Sequence, residues 1–292
     1  MNDLQRGINK ARSLATVATH KTVPEKARFR AAHMQSKKKF DSFMRSELGD
    51  FYCEVDPGPM QTSGISLKTA ILKQDDLAPL ETEDGFFDAA YRHLQMFVEA
   101  LVDHGVNFRT IGSVLELGCG GARLVRHFRC IEGARVVGTD IDANSITWCS
   151  ENLPGMEFHV NSMDPPLPFD ENTFDVAMAS SVFTHIPLAG QVAWLNEMHR
   201  VMRPGGVFLC TVVGRFHITN QLTTAQREEM VRTGRIELVP GESGLSVSSE
   251  VTKQHDVFQS RAEVIDVFGK TFELLDYVRG KQDILVLRKR RG

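Results

Sequence analysis

Glu116, Gly118, Gly120 and Asp140 are the residues of this chain whose types and spacing bear most directly on chemistry. Val114 to Leu117 is a short apolar run that predicts a strand, and Gly118 with Gly120 lets the backbone turn tightly and meet a ligand without an intervening Cβ. A second apolar run through Val136 and Val137 ends at Asp140, twenty residues after Gly120. A carboxylate at that place can accept both hydroxyls of an adenosine ribose. Strand, glycine turn, helix and a second strand closed by an acid together predict a nucleotide-cofactor site.

Two positions separate the kinds of nucleotide. A turn that binds a diphosphate wants a third small residue for close helix packing, and Arg123 stands there. It also tolerates poorly an acid just before the first glycine, because a carboxylate repels a diphosphate. Glu116 occupies that place and matches instead a ligand carrying an ammonium and a sulfonium. The charge pattern therefore favours S-adenosylmethionine over a nicotinamide dinucleotide, whose NAD(P)-dependent reductases are the second class considered. A third class is a protein that binds S-adenosylmethionine without turnover and acts by interaction.

At these residues the chain resembles the class I S-adenosylmethionine-dependent methyltransferases. The acidic-x-Gly-x-Gly motif of that family matches Glu116, Gly118 and Gly120, and its ribose acid matches Asp140. Asn161-Ser162-Met163-Asp164, Leu167-Pro168-Phe169 and Thr173-Phe174-Asp175-Val176 are similar to the family's adenine loop and fourth strand. Ser181-Val182-Phe183-Thr184-His185 and Arg200 to Gly206 resemble its post-strand loop and the turn into strand five. The likeness spans residues 110 to 213. Trp148-Cys149, Phe183-Thr184 and Gln282-Asp283-Ile284 resemble a bacterial subgroup associated with cell-surface polysaccharide and other small-molecule pathways. The resemblance implies S-adenosyl-L-methionine as cofactor, S-adenosyl-L-homocysteine as product, and a small-molecule acceptor, an oxygen of a saccharide or another biosynthetic intermediate. The cofactor-binding residues it implies are Glu116, Gly118, Cys119, Gly120, Asp140, Ile141, Asn161, Ser162, Met163, Ser180 and Ser181. Tyr91 and Arg92, before the first strand, are candidates for the cofactor carboxylate.

Methyl transfer from a sulfonium is an in-line displacement, so the protein chiefly holds the nucleophile about 3 Å from the methyl. A hydroxyl acceptor also needs a base, whereas a carboxylate acceptor does not. His185 follows the fourth strand and is the first candidate base. Asp283, His217 and His255 lie in segments that could line the acceptor pocket, although a structural role competes at each. Asp164-Pro165-Pro166 resembles the Asp-Pro-Pro-aromatic grip of amino-group DNA methyltransferases on a flipped base. Leu167 replaces the aromatic, and the triplet precedes the fourth strand instead of following it, so nucleic acid is disfavoured as a partner.

The elements that must position these residues follow from periodicity. From Ser113 onward strands and helices alternate: strands at 113–117, 135–139, 156–160, 174–180 and 206–213, with helices at 121–129, 143–151 and 188–202. Helix 260–269 and strands 271–278 and 283–288 close the pattern. Alternation of this kind predicts an α/β fold, a doubly wound and mostly parallel seven-stranded sheet of the Rossmann-like methyltransferase type, with the site at the carboxyl ends of the strands. The resemblance makes the last two strands antiparallel. A polar, partly helical insertion at 214–257 is the candidate substrate-selecting segment. Helical spacing of Ala90, Leu94, Phe97, Val98 and Leu101 predicts an amphipathic helix over 88–102. The expected organisation is a basic helical extension over 1–50, with helices at 3–18 and 25–47, a connector or lid and leading helix over 51–109, and the methyltransferase domain over 110–292.

With 292 residues, 42% of them hydrophobic, the chain can bury a sizeable core. No run approaches the roughly 20 apolar residues needed to span a bilayer, and no signal-peptide pattern opens the sequence, so the cytoplasm is the default compartment. Five cysteines without a CxxC pair favour buried thiols over disulfides, and no metal site is expected. The net charge of −3 hides a division, since residues 1–45 hold eleven Lys and Arg against three acids. That arm, with Lys26, Arg28, Arg30 and Lys37 to Lys39, is expected to cover the catalytic domain or to pair two copies in a homodimer; contact with an anionic surface is the alternative.

Overall fold

The computed structural model describes residues 25–49, 52, 58–60, 83–239 and 255–291. The helix expected over 3–18, most of the 51–82 connector and residues 240–254 of the insertion lie outside them. Nine strands are described: β1 (Ser113–Leu117), β2 (Arg135–Asp140), β3 (Glu157–Val160), β4 (Phe174–Ala179), β5 (Met202–Val213), β6 (Arg235–Leu238), β7 (Asp256–Gln259), β8 (Glu273–Val278) and β9 (Gln282–Arg288). The helices are α1 (Glu25–Leu48), α2 (Glu83–Asp103), α3 (Ala143–Asn152), α4 (Leu188–Val201), α5 (Arg215–Gln221), α6 (Thr224–Thr233) and α7 (Arg261–Thr271).

Seven strands form one sheet in the order β3-β2-β1-β4-β5-β9-β8. The pairs from β3 to β5 are parallel, and β9 runs antiparallel to both β5 and β8. Chain order reverses between β1 and β4, and a crevice opens beyond strand ends at such a switch point. β1 is buried along its whole length, as a strand covered on both faces must be. Successive side chains alternate between two cores, as the strand period of two requires. Val114, Val136, Val176 and Leu209 face a core shared with Phe40, Met44 and Leu48 of α1 and Leu94 and Phe97 of α2. Leu115, Val137, Ala177 and Phe208 face the other, with Trp194 and Leu195 of α4 and Phe268 of α7. The described part of the basic extension is therefore packed into the domain it precedes, with the Phe40 and Tyr91 rings 5.6 Å apart.

Two expectations change. The helix over 121–129 is instead a series of turns followed by a 3₁₀ segment, Val125–Cys130. Ala122 has a φ of 55°, which no α-helix accommodates, and the Val125 N–H is drawn to the Glu116 side chain at 2.9 Å instead of to a backbone carbonyl. β5 begins at Met202, because Met202 already pairs with Phe174 before the Pro204-Gly205-Gly206 irregularity. The insertion is partly helical as expected, holding α5 and α6. It carries the antiparallel pair β6 and β7 and a small core of its own, in which Leu222, Met230, Ile236, Leu238 and Phe258 gather on Val213 at the end of β5.

Candidate functional site

The ends of β1, β2 and β3 converge on Asp140. Gly118 and Cys119 both donate to the Thr139 carbonyl, at 2.7 and 2.9 Å, which ties the glycine turn to the end of β2. Gly118 and Gly120 hold φ values of 72° and 50°, the left-handed region that glycine enters at no cost. The Asp140 carboxylate accepts the Gly120 N–H at 2.7 Å and the Asp142 N–H at 2.8 Å. Asn161, after β3, donates its N–H to the Asp140 carbonyl at 3.0 Å. Asp142 caps α3 by accepting from the Asn144 N–H, so the chain turns away at once and leaves Asp140 at the edge of the crevice. Burial raises the Asp140 pKa, while the backbone donors oppose that rise.

Glu116 is not the open charge that its position in sequence suggests. It is 2% exposed, and its carboxylate accepts the Val125 N–H. Desolvation pushes its pKa up to about 8, against the opposing Val125 hydrogen bond and the nearby Arg123 charge. The Arg123 guanidinium is itself desolvated, and its Nη1 has no hydrogen-bond partner. Arg126 beside it is fully buried. It donates to the carbonyls of Ala122, Gly121 and Pro59 at 2.8, 2.6 and 2.7 Å, holding the turn from behind, and lies over the Phe86, Phe87 and Trp148 rings.

The remaining residues expected to meet the cofactor fall around this turn. Cys119 is buried with its sulfur against Gly138, so its main chain and not its thiol borders the turn. Ile141 follows Asp140 and is half-buried. Asn161 keeps its Oδ1 buried without a partner, and its amide donates to the Ser162 carbonyl. Met163 is exposed, with its carbonyl accepting the Trp194 indole N–H at 2.9 Å. Tyr91 is buried against the Phe40 and His127 rings.

Beyond β4, Ser180 and Ser181 begin the loop that crosses the switch point. Ser181 has a φ of 59°, and Thr211 Oγ1 accepts its N–H at 2.8 Å. The Ser181 and Thr211 hydroxyls both donate to Gln282 Oε1, at 3.0 and 2.7 Å. That double donation fixes the amide so that its NH₂ faces away from them. The next residue, Val182, rests on the turn: a Cβ added at Gly118 would run into Val182 Cγ2. The missing side chain at Gly118 thus admits a neighbouring loop, where the sequence suggested room for a ligand.

His185 follows one tight turn later, its N–H donating to the Val182 carbonyl at 3.0 Å. Its Nδ1 lies 3.2 Å from the His255 carbonyl and 3.3 Å from Asp256 Oδ1. The insertion is fastened to this loop at several points. The Val257 N–H donates to the Thr184 carbonyl at 2.9 Å, Gln191 donates to Gln259 and to the Phe183 carbonyl, and Glu237 accepts the Leu188 N–H. The downstream partners Glu237, Val257 and Gln259 carry no sequence motif, and their pairings to Leu188, Thr184 and Gln191 span 49 to 73 residues. Two of the other three candidates, Asp283 and His217, lie at the start of β9 and on α5. Asp283 is buried and accepts the Gly280 N–H at 2.9 Å, closing the turn between β8 and β9. Burial, and after it the Asp283 charge, holds the Tyr277 hydroxyl protonated. His217 lies on α5 with Nδ1 buried and unpartnered, and burial followed by the Lys281 charge lowers its pKa.

Residues 115–210 match the family model described as a methyltransferase domain. A fatty-acid O-methyltransferase of Mycolicibacterium smegmatis is 38% identical over 104 residues, 34% of this chain and 36% of that protein. The mitochondrial arginine-hydroxylase NDUFAF5 of Danio rerio is 30% identical over 128 residues, 43% of this chain and 38% of that protein. The chain spans about half the length or less of these curated relatives. Among solved structures, an S-adenosylmethionine-dependent methyltransferase from Mesorhizobium loti shares the fold with a TM-score of 0.51 at 12% identity, covering 68% of this chain and 97% of that one. Sheet order, glycine turn and family match agree. The match makes residues 115–210 a methyltransferase domain of the class I S-adenosylmethionine-dependent kind, and the cofactor of that domain is S-adenosylmethionine.

Proposed function

We propose that this protein transfers a methyl group from S-adenosylmethionine to an oxygen of a small-molecule acceptor, a saccharide hydroxyl or that of another biosynthetic intermediate. The observation that carries it is the set of unsatisfied polar atoms around the anchored Asp140. Arg123 Nη1 offers a buried N–H to the cofactor's carboxylate, and the orphan Asn161 Oδ1 is an acceptor for the adenine amino group. A buried polar atom without a partner costs about 1–3 kcal/mol, so each is an incentive to bind. Asp140 presents its carboxylate to the ribose diol while backbone amides keep it in place. When bound, S-adenosylmethionine supplies an electrophilic methyl and a neutral thioether leaving group. The protein's part is then to exclude water, orient the acceptor and accept a proton. The loop from Ser180 to His185 and the insertion packed on it stand at the acceptor side, since they occupy the carboxyl ends of β4 and β5. The O-methyltransferase activity named for the Mycolicibacterium smegmatis relative supports an oxygen acceptor.

Calorimetry tests the cofactor assignment. S-adenosylmethionine and S-adenosylhomocysteine should both bind, and Asp140→Ala should weaken both at least tenfold, about 1.4 kcal/mol. Reduced nicotinamide dinucleotide should give no heat. Absence of binding by either adenosyl compound overturns the proposal. Incubation with methyl-labelled S-adenosylmethionine and a panel of glycosides, alcohols and fatty acids would then identify the acceptor.

A further inference from the structure

We infer that Asp256, from the insertion, is the positioning residue that makes His185 a general base for a hydroxyl acceptor. This rests on the methyl-transfer proposal and narrows its acceptor to a group that must lose a proton. Asp256 is 0% exposed and opens β7, 71 residues beyond His185. Two oxygens, Asp256 Oδ1 at 3.3 Å and the His255 carbonyl at 3.2 Å, lie against one ring nitrogen, Nδ1. A backbone carbonyl only accepts, so the proton of the neutral ring sits on Nδ1 and the lone pair on Nε2. Among the described residues Nε2 has no hydrogen-bond partner, and the side chain keeps 17% of its surface open. The ring also stands close to the cofactor turn, three residues after Val182, whose side chain lies on Gly118.

The proton balance follows from this arrangement. The acceptor O–H gives its proton to Nε2 as the O–CH₃ bond forms and the S–CH₃ bond of the cofactor breaks, leaving a neutral thioether and an imidazolium. The Nδ1–H of that imidazolium stays on the His255 carbonyl, and the buried Asp256 carboxylate, with Oδ1 3.3 Å from Nδ1, stabilises the charge by proximity as it appears, before the proton passes from Nε2 to solvent. A carboxylic acid substrate, already ionised, would need none of this. His185 and Asp256 belong to the post-β4 loop and the insertion respectively, so the base is assembled only where those two segments are packed together.

The test uses the full chain saturated with S-adenosylhomocysteine, with the histidine rings labelled with ¹⁵N. The His185 ring should show the Nδ1–H tautomer, with an Nδ1 proton far downfield that moves upfield in Asp256→Asn. An Nε2–H tautomer, or a spectrum unchanged in Asp256→Asn, overturns the inference whatever the acceptor. Calorimetry on ligand-free samples should give S-adenosylhomocysteine affinities within twofold of wild type for Asp256→Asn and His185→Gln, which excludes misfolding as the cause. With methyl glycosides as probes, both variants should lose kcat by about 10²–10⁴ with little change in KM. With octanoate as a carboxylate probe, any wild-type rate should persist in His185→Gln; glycoside methylation that survives His185→Gln at full rate also overturns the inference. Loss of adenosyl binding in the wild type would instead defeat the methyl-transfer proposal, and the tautomer result would stand apart from it.

Discussion

The proposed cofactor half of the crevice and the proposed acceptor half are held together by different means. Around the glycine turn the contacts are mostly main chain and cross between adjacent strand ends: Gly118 and Cys119 to Thr139, Gly120 and Asp142 to Asp140, Asn161 to Asp140. Around His185 most involve side chains and join the post-β4 loop and the start of α4 to segments many residues downstream: Asp256, Gln259 and Glu237. Backbone contacts between neighbouring parallel strands survive nearly any change of side chain. Side-chain contacts to an insertion can be rewritten residue by residue. The first half is therefore suited to one constant ligand, and the second to acceptors that differ between relatives.

Substitutions can break or sharpen that contrast, and the largest effect is expected behind the turn. Arg126→Ala leaves the Gly121, Ala122 and Pro59 carbonyls without the guanidinium they share, all on the cofactor side. It should cost about 3 kcal/mol or more, read as a fall of about 6–12 °C in Tm for a chain of this size. A Tm within 2 °C of wild type would show that the turn stands without its buried cation.

Gly118→Ala comes next. Its Cβ is disfavoured at a φ of 72° and strikes Val182, so the turn and the post-β4 loop must part. Cofactor affinity should fall at least tenfold by calorimetry, with a smaller loss of Tm. Retained affinity would mean that the two halves do not touch through Val182 in solution.

On the acceptor side, Gln191→Ala removes a buried amide that joins the Phe183 carbonyl to Gln259. Here cofactor affinity should stay within twofold while kcat/KM for the acceptor falls several-fold. A matching loss of cofactor affinity would erase the distinction between the halves.

The smallest effect is a pH slope. Burial pushes Glu116 up to about 8 from an ordinary carboxylate value of 4.5, so the folded protein holds a proton that the unfolded chain gives up between those values. Its contribution to stability therefore falls as pH rises from 4.5 to 8, and Glu116→Gln should remove that part of the decline, by a few degrees of Tm between pH 5 and pH 8 in ligand-free protein. Two buried rings act in the opposite sense. Desolvation, then the Arg123 charge, holds His93 down to about 3, and desolvation holds His127 well below its ordinary value. Both resist protonation, so stability is lost as pH drops below 6.5. A Tm that rises from pH 5 to pH 8 equally in wild type and Glu116→Gln would show the histidines to dominate.

Legibility in the sequence divides along the same line. β1 was predicted at its observed residues, Ser113–Leu117, and β2 and α3 to within a residue of their observed ends, because apolar runs bounded by glycine and acid are local signals. The placement of Asp140 at the crevice followed from the strand-end rule. The 3₁₀ path from Val125 to Cys130 did not, since residues of helical composition were redirected by the Glu116 carboxylate and by Arg126. The pairing of β6 with β7 was missed for a different reason, because its pattern of alternation is only four residues long on each side.

By itself, the order of residues determined the layered sheet, the switch point between β1 and β4, and the glycine turn with its acids. Those features arise from periodicity and from backbone geometry that only certain residues allow. The tertiary structure alone decided that Glu116 is buried beside Arg123, that Val182 fills the space above Gly118, and that His185 meets Asp256. Burial, charge compensation and contact across about 70 residues depend on which surfaces the folded chain brings together, and no local pattern encodes them.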